Sequence, residues 1–210
     1  MIYTYVADIR HLKDPKRYPE LLRFLDVETH EKILNCSNPR RRIEKFGTEL
    51  LLKEILSRHN ILKINMENEQ KHAVSVHLSL SQSKNLMICA IGEKEVGCSI
   101  KKIGPAVKKP PTALFSLSER KYLNEFDEET LTQEFYRLWA CKESYIKMSG
   151  ESISNPAKTF EVIISNEITI QRNNAIENCW IEEYEIPGYK ISVCSKDDEF
   201  SSDVKFITVI

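Results

Sequence analysis

Trp139, Glu143 and Lys147 fall four residues apart in the stretch WACKESYIKMSG (residues 139–150), which also carries Lys142. On a helix this spacing aligns the three side chains in one stripe. It borders a second stripe, Phe135, Leu138, Trp139, Lys142, Tyr145 and Ile146, with the periodicity of a buried face. A carboxylate and an ammonium at the edge of such a face act with less screening than on open surface. Charged groups so placed could take part in chemistry. The same spacing also suits a plain helix-supporting ion pair, since Glu143 precedes Lys147 by four residues. Pattern alone leaves both readings open.

The rest of the chain has to position these groups. It has 210 residues, enough for one large domain or two smaller ones, with 41% hydrophobic and 29% charged residues. That composition is globular rather than disordered or fibrous. A formal charge of -1 gives no overall pull toward nucleic acid or an anionic membrane, so an anion site must be local. Cys36, Cys89, Cys98, Cys141, Cys179 and Cys194 are scattered without zinc-like spacing and read as thiols of a reducing compartment. The opening MIYTYVADIRHL meets Asp8 and Arg10 before any signal-like apolar region forms, and no apolar run reaches membrane-spanning length. The expectation is a cytoplasmic monomer with neither nucleic-acid nor membrane partner.

Gly104, Pro105, Pro110 and Pro111 break the pattern within residues 101–114, and the two sides resemble each other. FLDVETHEKI (24–33) answers FSLSERKYL (115–123), where Ser116 and Glu119 form a capping-box pattern. A long helix follows on each side, over 45–59 and 131–148, the second preceded by Thr130 with Gln133 as another capping box. Strand-like NLMICAI (85–91) answers YKISVCS (189–195), and VGCSI (96–100) answers VKFITVI (204–210). The expected fold is α+β, two similar halves forming a pseudo-dimer, residues 1–103 and 104–210, with a ligand cleft between them. A single irregular α+β domain is the alternative.

The stretch FYRLWACKESYIKMSG resembles the signature of the surfactin-type 4'-phosphopantetheinyl transferases, Trp-x-x-Lys-Glu-Ser/Ala-x-x-Lys followed by glycine. Trp139, Lys142, Glu143, Ser144, Lys147 and Gly150 match it position by position. FGTELLLKEIL, HLSLSQSKNLMICAI, FSLSERKYL and YEIPGYKISVCS are similar to further segments of that family. The resemblance implies transfer of the phosphopantetheine arm of coenzyme A onto a serine of an acyl or peptidyl carrier protein, with magnesium on the diphosphate. It also implies that Glu143 is metal ligand and base or base-orienter, that Lys147 holds a diphosphate oxygen, and that Lys142 reaches the phosphates or packs. Lys32, Arg42 and Lys71 fall in segments where the family places basic residues. Of the run PRRR (39–42), an ordinary solvated face in itself, Arg42 is the preferred contact. Ser81 and Gln82 match positions that the family places beside the phosphates, and the basic segment 101–109 could attract an acidic carrier protein.

One strand departs from the family pattern. Where the family has Gly-Ile-Asp-Ile-Glu, with two acidic metal ligands on one side, this chain has Gly97, Cys98, Ser99, Ile100, Lys101. A hydroxyl and a cation thus stand where magnesium would meet carboxylates. Gln82 replaces a histidine, and Gln70, Lys71, His72 stand where the family has Gly-Lys-Pro. Three possibilities follow. They are a transferase in which Lys101 supplies the metal's charge, a non-catalytic relative binding coenzyme A or a carrier protein, and an enzyme with altered chemistry on a pantetheine substrate.

Overall fold

A computed structural model describes residues 1–61, 76–109, 111, 113–152 and 154–209. The first half of the chain contains β1 (Tyr3–Asp8), α1 (Pro19–Leu22), α2 (Val27–Leu34), α3 (Pro39–Arg58), β2 (His77–Ser83), β3 (Leu86–Gly92) and β4 (Val96–Lys102). The second contains α4 (Leu117–Leu123), α5 (Glu128–Ser149), α6 (Pro156–Thr159), β5 (Glu161–Ile164), β6 (Ile168–Arg172), β7 (Ala175–Ile176), β8 (Trp180–Ile186), β9 (Tyr189–Ser195) and β10 (Lys205–Ile207). The fold is α+β, as expected.

The sheets do not follow the sequence boundary at 103/104. β1, β2 and β3 form a sheet whose fourth member is β10, parallel to β1, while β4 pairs with β9 in a sheet completed by β8. The last strand of each half therefore lies in the sheet of the other. A third sheet, β5-β6-β7, packs with α4 and α5.

Alternation along the strands explains the layering. On β1 and β3, Tyr5, Ala7, Met87, Cys89 and Ile91 pack under Leu51 and Ile55 of α3. The intervening Val6, Leu86, Ile88 and Ala90 pack against Cys98, Ile100, Ile191 and Val193 of the second sheet. Buried on both faces, β3 is apolar without interruption, which is why NLMICAI reads as a continuous run. Cys89, Cys98, Cys141 and Cys194 are buried free thiols, and Cys36 and Cys179 are half-buried ones.

Ser116 and Glu119 form the expected capping box at the start of α4. At α5 the cap differs from expectation. Asp127 accepts from the Thr130 amide and starts the helix three residues earlier, because its carboxylate caps the first turn and leaves Thr130 inside the helix. Gly150, in the left-handed conformation at φ 66°, ends it. The buried face is wider than the sequence stripe: Ala140, Cys141 and Ser144 are buried too, whereas Trp139 and Ile146 are half-buried.

These small residues let α5 lie close on β4 and β9. The Ser144 hydroxyl hydrogen-bonds that of Ser192 at 2.9 Å. Below them, Gly97 faces the helix backbone directly, and a methyl group there would overlap the Ser144 carbonyl oxygen and the Met148 amide nitrogen. Gly97→Ala should therefore destabilise the protein by at least the ~1–3 kcal/mol typical of overpacking a core, measured by denaturant unfolding.

Candidate functional site

β4 presents Gly97, Ser99 and Lys101 on one face, since alternate residues of a strand point the same way. Gly97 fixes how close α5 comes at Ser144 and Met148, and Lys101 then meets the helix nearer its start, at Glu143 and Trp139. The Lys101 ammonium donates to Glu143 Oε2 and sits 4.4 Å from the centre of the Trp139 ring. The Lys147 ammonium lies 3.1 Å from Glu143 Oε1. Each carboxylate oxygen thus has its own ammonium. Burial alone would raise the Glu143 carboxyl, but the hydrogen bond from Lys101 and the charge of Lys147 outweigh it and hold the group below its ordinary value.

Lys147 also joins two strands, donating to Leu80 O of β2 at 2.9 Å and to Cys98 O of β4 at 3.1 Å. Its ammonium lies on a seam that serine hydroxyls complete. The amides of Cys98, Ile100 and Lys102 donate to Ser79, Ser81 and Ser83 at 2.9, 3.3 and 2.8 Å. The alternating serines of HLSLSQS thereby join two sheets that share no backbone ladder. Ser81 accepts from Ile100 and keeps its hydroxyl hydrogen for a further partner.

The sequence-derived candidates do not all meet. Glu143, Lys147, Lys101 and Ser81 gather at this seam. Gln82, beside them in sequence, turns to Lys84 O at 3.3 Å. Lys142 does not join them: fully buried, its ammonium donates to both oxygens of Glu119 at 2.7 and 3.0 Å and to Phe160 O at 3.1 Å. Burial pulls that ammonium below its ordinary range, against the raising influence of Glu119. Of the two readings of Lys142, packing is the one this geometry matches. Glu119 also accepts from the Ser116 and Val162 amides, so the pair ties α4, α5 and β5 together.

Arg42, the preferred member of the basic run, donates to Asp14 Oδ2 at 2.6 Å and to Cys36 O at 3.0 Å. Its charge is committed to holding the start of α3. Arg40 is the arginine that lines a groove of about 750 Å³, with Arg10, Lys84, Lys102, Asp8 and Tyr189. Lys102 leaves the opposite side of β4 from Lys101. Lys32 is exposed and paired with Glu28 at 2.5 Å on its own helix. Lys71, with Gln70 and His72, lies outside the described residues.

Magnesium of the kind the resemblance implies finds a poor donor set. The Ser99 hydroxyl is fully buried and has no hydrogen-bond partner among the described residues, and Lys101 brings a cation to Glu143. Among the described residues no three of His, Cys, Asp and Glu come together to hold a metal. The residues do not fit a divalent ion.

The sequence model of the 4'-phosphopantetheinyl transferase superfamily matches residues 95–194, from β4 through β9. The 4'-phosphopantetheinyl transferase Sfp of Bacillus subtilis strain 168 is 26% identical over 94% of this chain and 95% of its own length. A second 4'-phosphopantetheinyl transferase of Bacillus subtilis is 29% identical over 63% of this chain and 61% of its own length. The 4'-phosphopantetheinyl transferase gsp of Aneurinibacillus migulanus is 32% identical over 57% of this chain and 52% of its own. Among the described residues no helix is long and apolar enough to cross a membrane.

The two lysine pairs predict contrasting behaviour. Lys142→Met leaves the Glu119 charge buried without its partner and should cost about 3–5 kcal/mol in denaturant unfolding. Lys32→Met removes an exposed pair and should leave the unfolding midpoint unchanged.

Proposed function

The chain belongs to the 4'-phosphopantetheinyl transferase superfamily, and on that premise we propose that it moves the phosphopantetheine arm of coenzyme A onto a serine of an acyl or peptidyl carrier protein. The observation that carries this reading is the placement of Glu143 and Lys147. The signature helix α5 delivers both to the seam of β2 and β4, half-buried and in contact with each other.

In this reading the carrier serine oxygen attacks the phosphorus that bears the pantetheine arm. The bond from that phosphorus to the oxygen bridging to the adenylate breaks, and 3',5'-ADP leaves with the electron pair. Glu143 takes the serine proton. It is a weak base while two ammonium groups hold it, so a diphosphate that draws those groups away also frees the carboxylate to accept the proton. Lys147 and Lys101 then face the charge that develops on the leaving oxygen, where fixed cations act most strongly.

Supporting roles follow from position. Ser81 has a hydroxyl hydrogen to offer a phosphate oxygen beside Lys147. The basic residues around the groove of Arg10, Arg40, Lys84 and Lys102 would favour an acidic carrier protein by charge. A second reading is favoured by the clamp on Glu143: a relative that binds coenzyme A or a carrier protein without turnover.

A carrier protein incubated with this protein and coenzyme A should gain the phosphopantetheine arm, seen as the corresponding mass increase on its serine peptide. Glu143→Gln should slow that gain by about 10²–10⁴-fold, the usual contribution of a positioned base. Binding of carrier protein or coenzyme A with no mass increase would instead establish the second reading.

A further inference from the structure

We infer that Lys101 is a resident cation standing in for a divalent ion, so that this site takes a diphosphate directly and is closed to magnesium. The inference rests on the transferase reading for the identity of the diphosphate, that of coenzyme A. It rests on this chain's own geometry for the rest.

The ammonium of Lys101 is in place before any ligand arrives. It is held on three sides: by Glu143 Oε2, by the face of the Trp139 ring at 4.4 Å, and by β4, whose register under α5 is set by Gly97. Its side chain is only 16% exposed, so it is not a surface lysine free to swing away from an incoming metal. Each Glu143 oxygen already faces an ammonium, Lys101 at Oε2 and Lys147 at Oε1, so a metal approaching the carboxylate meets two positive charges. Ser99, the other position facing α5, offers a neutral hydroxyl that is fully buried.

Charge points the same way. Two ammonium groups meet one carboxylate, a net charge of +1 before ligand binds. Acidic residues at positions 99 and 101 would make the same cluster strongly negative, and it would then need a divalent ion to accept a diphosphate. Here the need is absent. The cluster attracts the anion and repels the metal. On binding, one phosphate oxygen replaces Glu143 Oε2 as the acceptor of the Lys101 proton, and charge is conserved by exchange of partners.

The test uses the full chain as wild type, Lys101→Met, Lys101→Glu and the double change Ser99→Asp with Lys101→Glu, each checked for folding by circular dichroism. Coenzyme A binding is measured by calorimetry with magnesium and with chelator, and manganese(II) alone is titrated and followed by electron paramagnetic resonance. Wild type should bind coenzyme A equally in both conditions and leave manganese free. Lys101→Met should weaken binding in chelator by about tenfold or more, equivalent to about 1.4 kcal/mol. Lys101→Met keeps the pair of Glu143 with Lys147, so it serves if Lys101→Glu does not fold. The double variant should gain manganese binding and a magnesium requirement for coenzyme A.

A tenfold loss of wild-type affinity on chelation, or wild-type manganese binding abolished by Glu143→Gln, would overturn the inference and leave the transferase reading standing. Metal-free coenzyme A binding without carrier loading would do the reverse. No coenzyme A binding in either condition would overturn both.

Discussion

The contact between α5 and β4 sets the geometry of everything at the site. Because position 97 has no side chain, the helix backbone rests on the strand, and the helix's own small residues, Ala140, Cys141 and Ser144, keep that distance along its length. Two consequences follow from one close approach. Glu143 comes down over Lys101, and Lys147, one turn on, reaches past β4 to β2. A larger residue at 97 would lift the helix and separate these groups together. The strand exchange adds to this constraint, since β4 belongs in sequence to the first half and in hydrogen bonding to the second. The site is thus built from elements on both sides of the 103/104 boundary.

Electrostatics then decides what so placed a cluster can hold. Two unit charges 4 Å apart interact by about 4 kcal/mol at an effective dielectric of 20, and a divalent ion doubles that figure. A magnesium ion beside the Lys101 ammonium meets that repulsion, with a single carboxylate to offset it. A diphosphate meets attraction of similar size from two ammonium groups. Screening by water reduces both, yet their signs are opposite. The carboxylate of Glu143 keeps the lysines from repelling one another until a ligand arrives.

Much of this was legible in the chain. The α5 stripe, the Ser116 and Glu119 box and the continuous apolar β3 all follow from periodicity and capping, which act locally. The half-buried standing of Glu143 and Lys147 was legible for the same reason. What escaped was every side chain whose partner is distant in sequence. Arg42 looked like a phosphate contact because Asp14 is 28 positions away, and Lys142 looked like a possible one because Glu119 had already been explained as a cap. Of the serines of β2 only Ser81 suggested a ligand contact, and nothing in the sequence signalled that Ser79, Ser81 and Ser83 all accept from amides of β4 nineteen residues on. Lys101 was visible as an exception to a family pattern. Only the folded arrangement shows that it pairs with Glu143 and lies over Trp139.

The central claim is that an ammonium stands where an ion would otherwise bridge protein and diphosphate. It is tested most directly by a crystal structure of the protein with coenzyme A, grown with manganese(II) and recorded at the manganese absorption edge. The account predicts Lys101 and Lys147 on the diphosphate oxygens and no anomalous peak beside Glu143. A manganese peak joining Glu143 to the diphosphate, with Lys101 turned away, would contradict it.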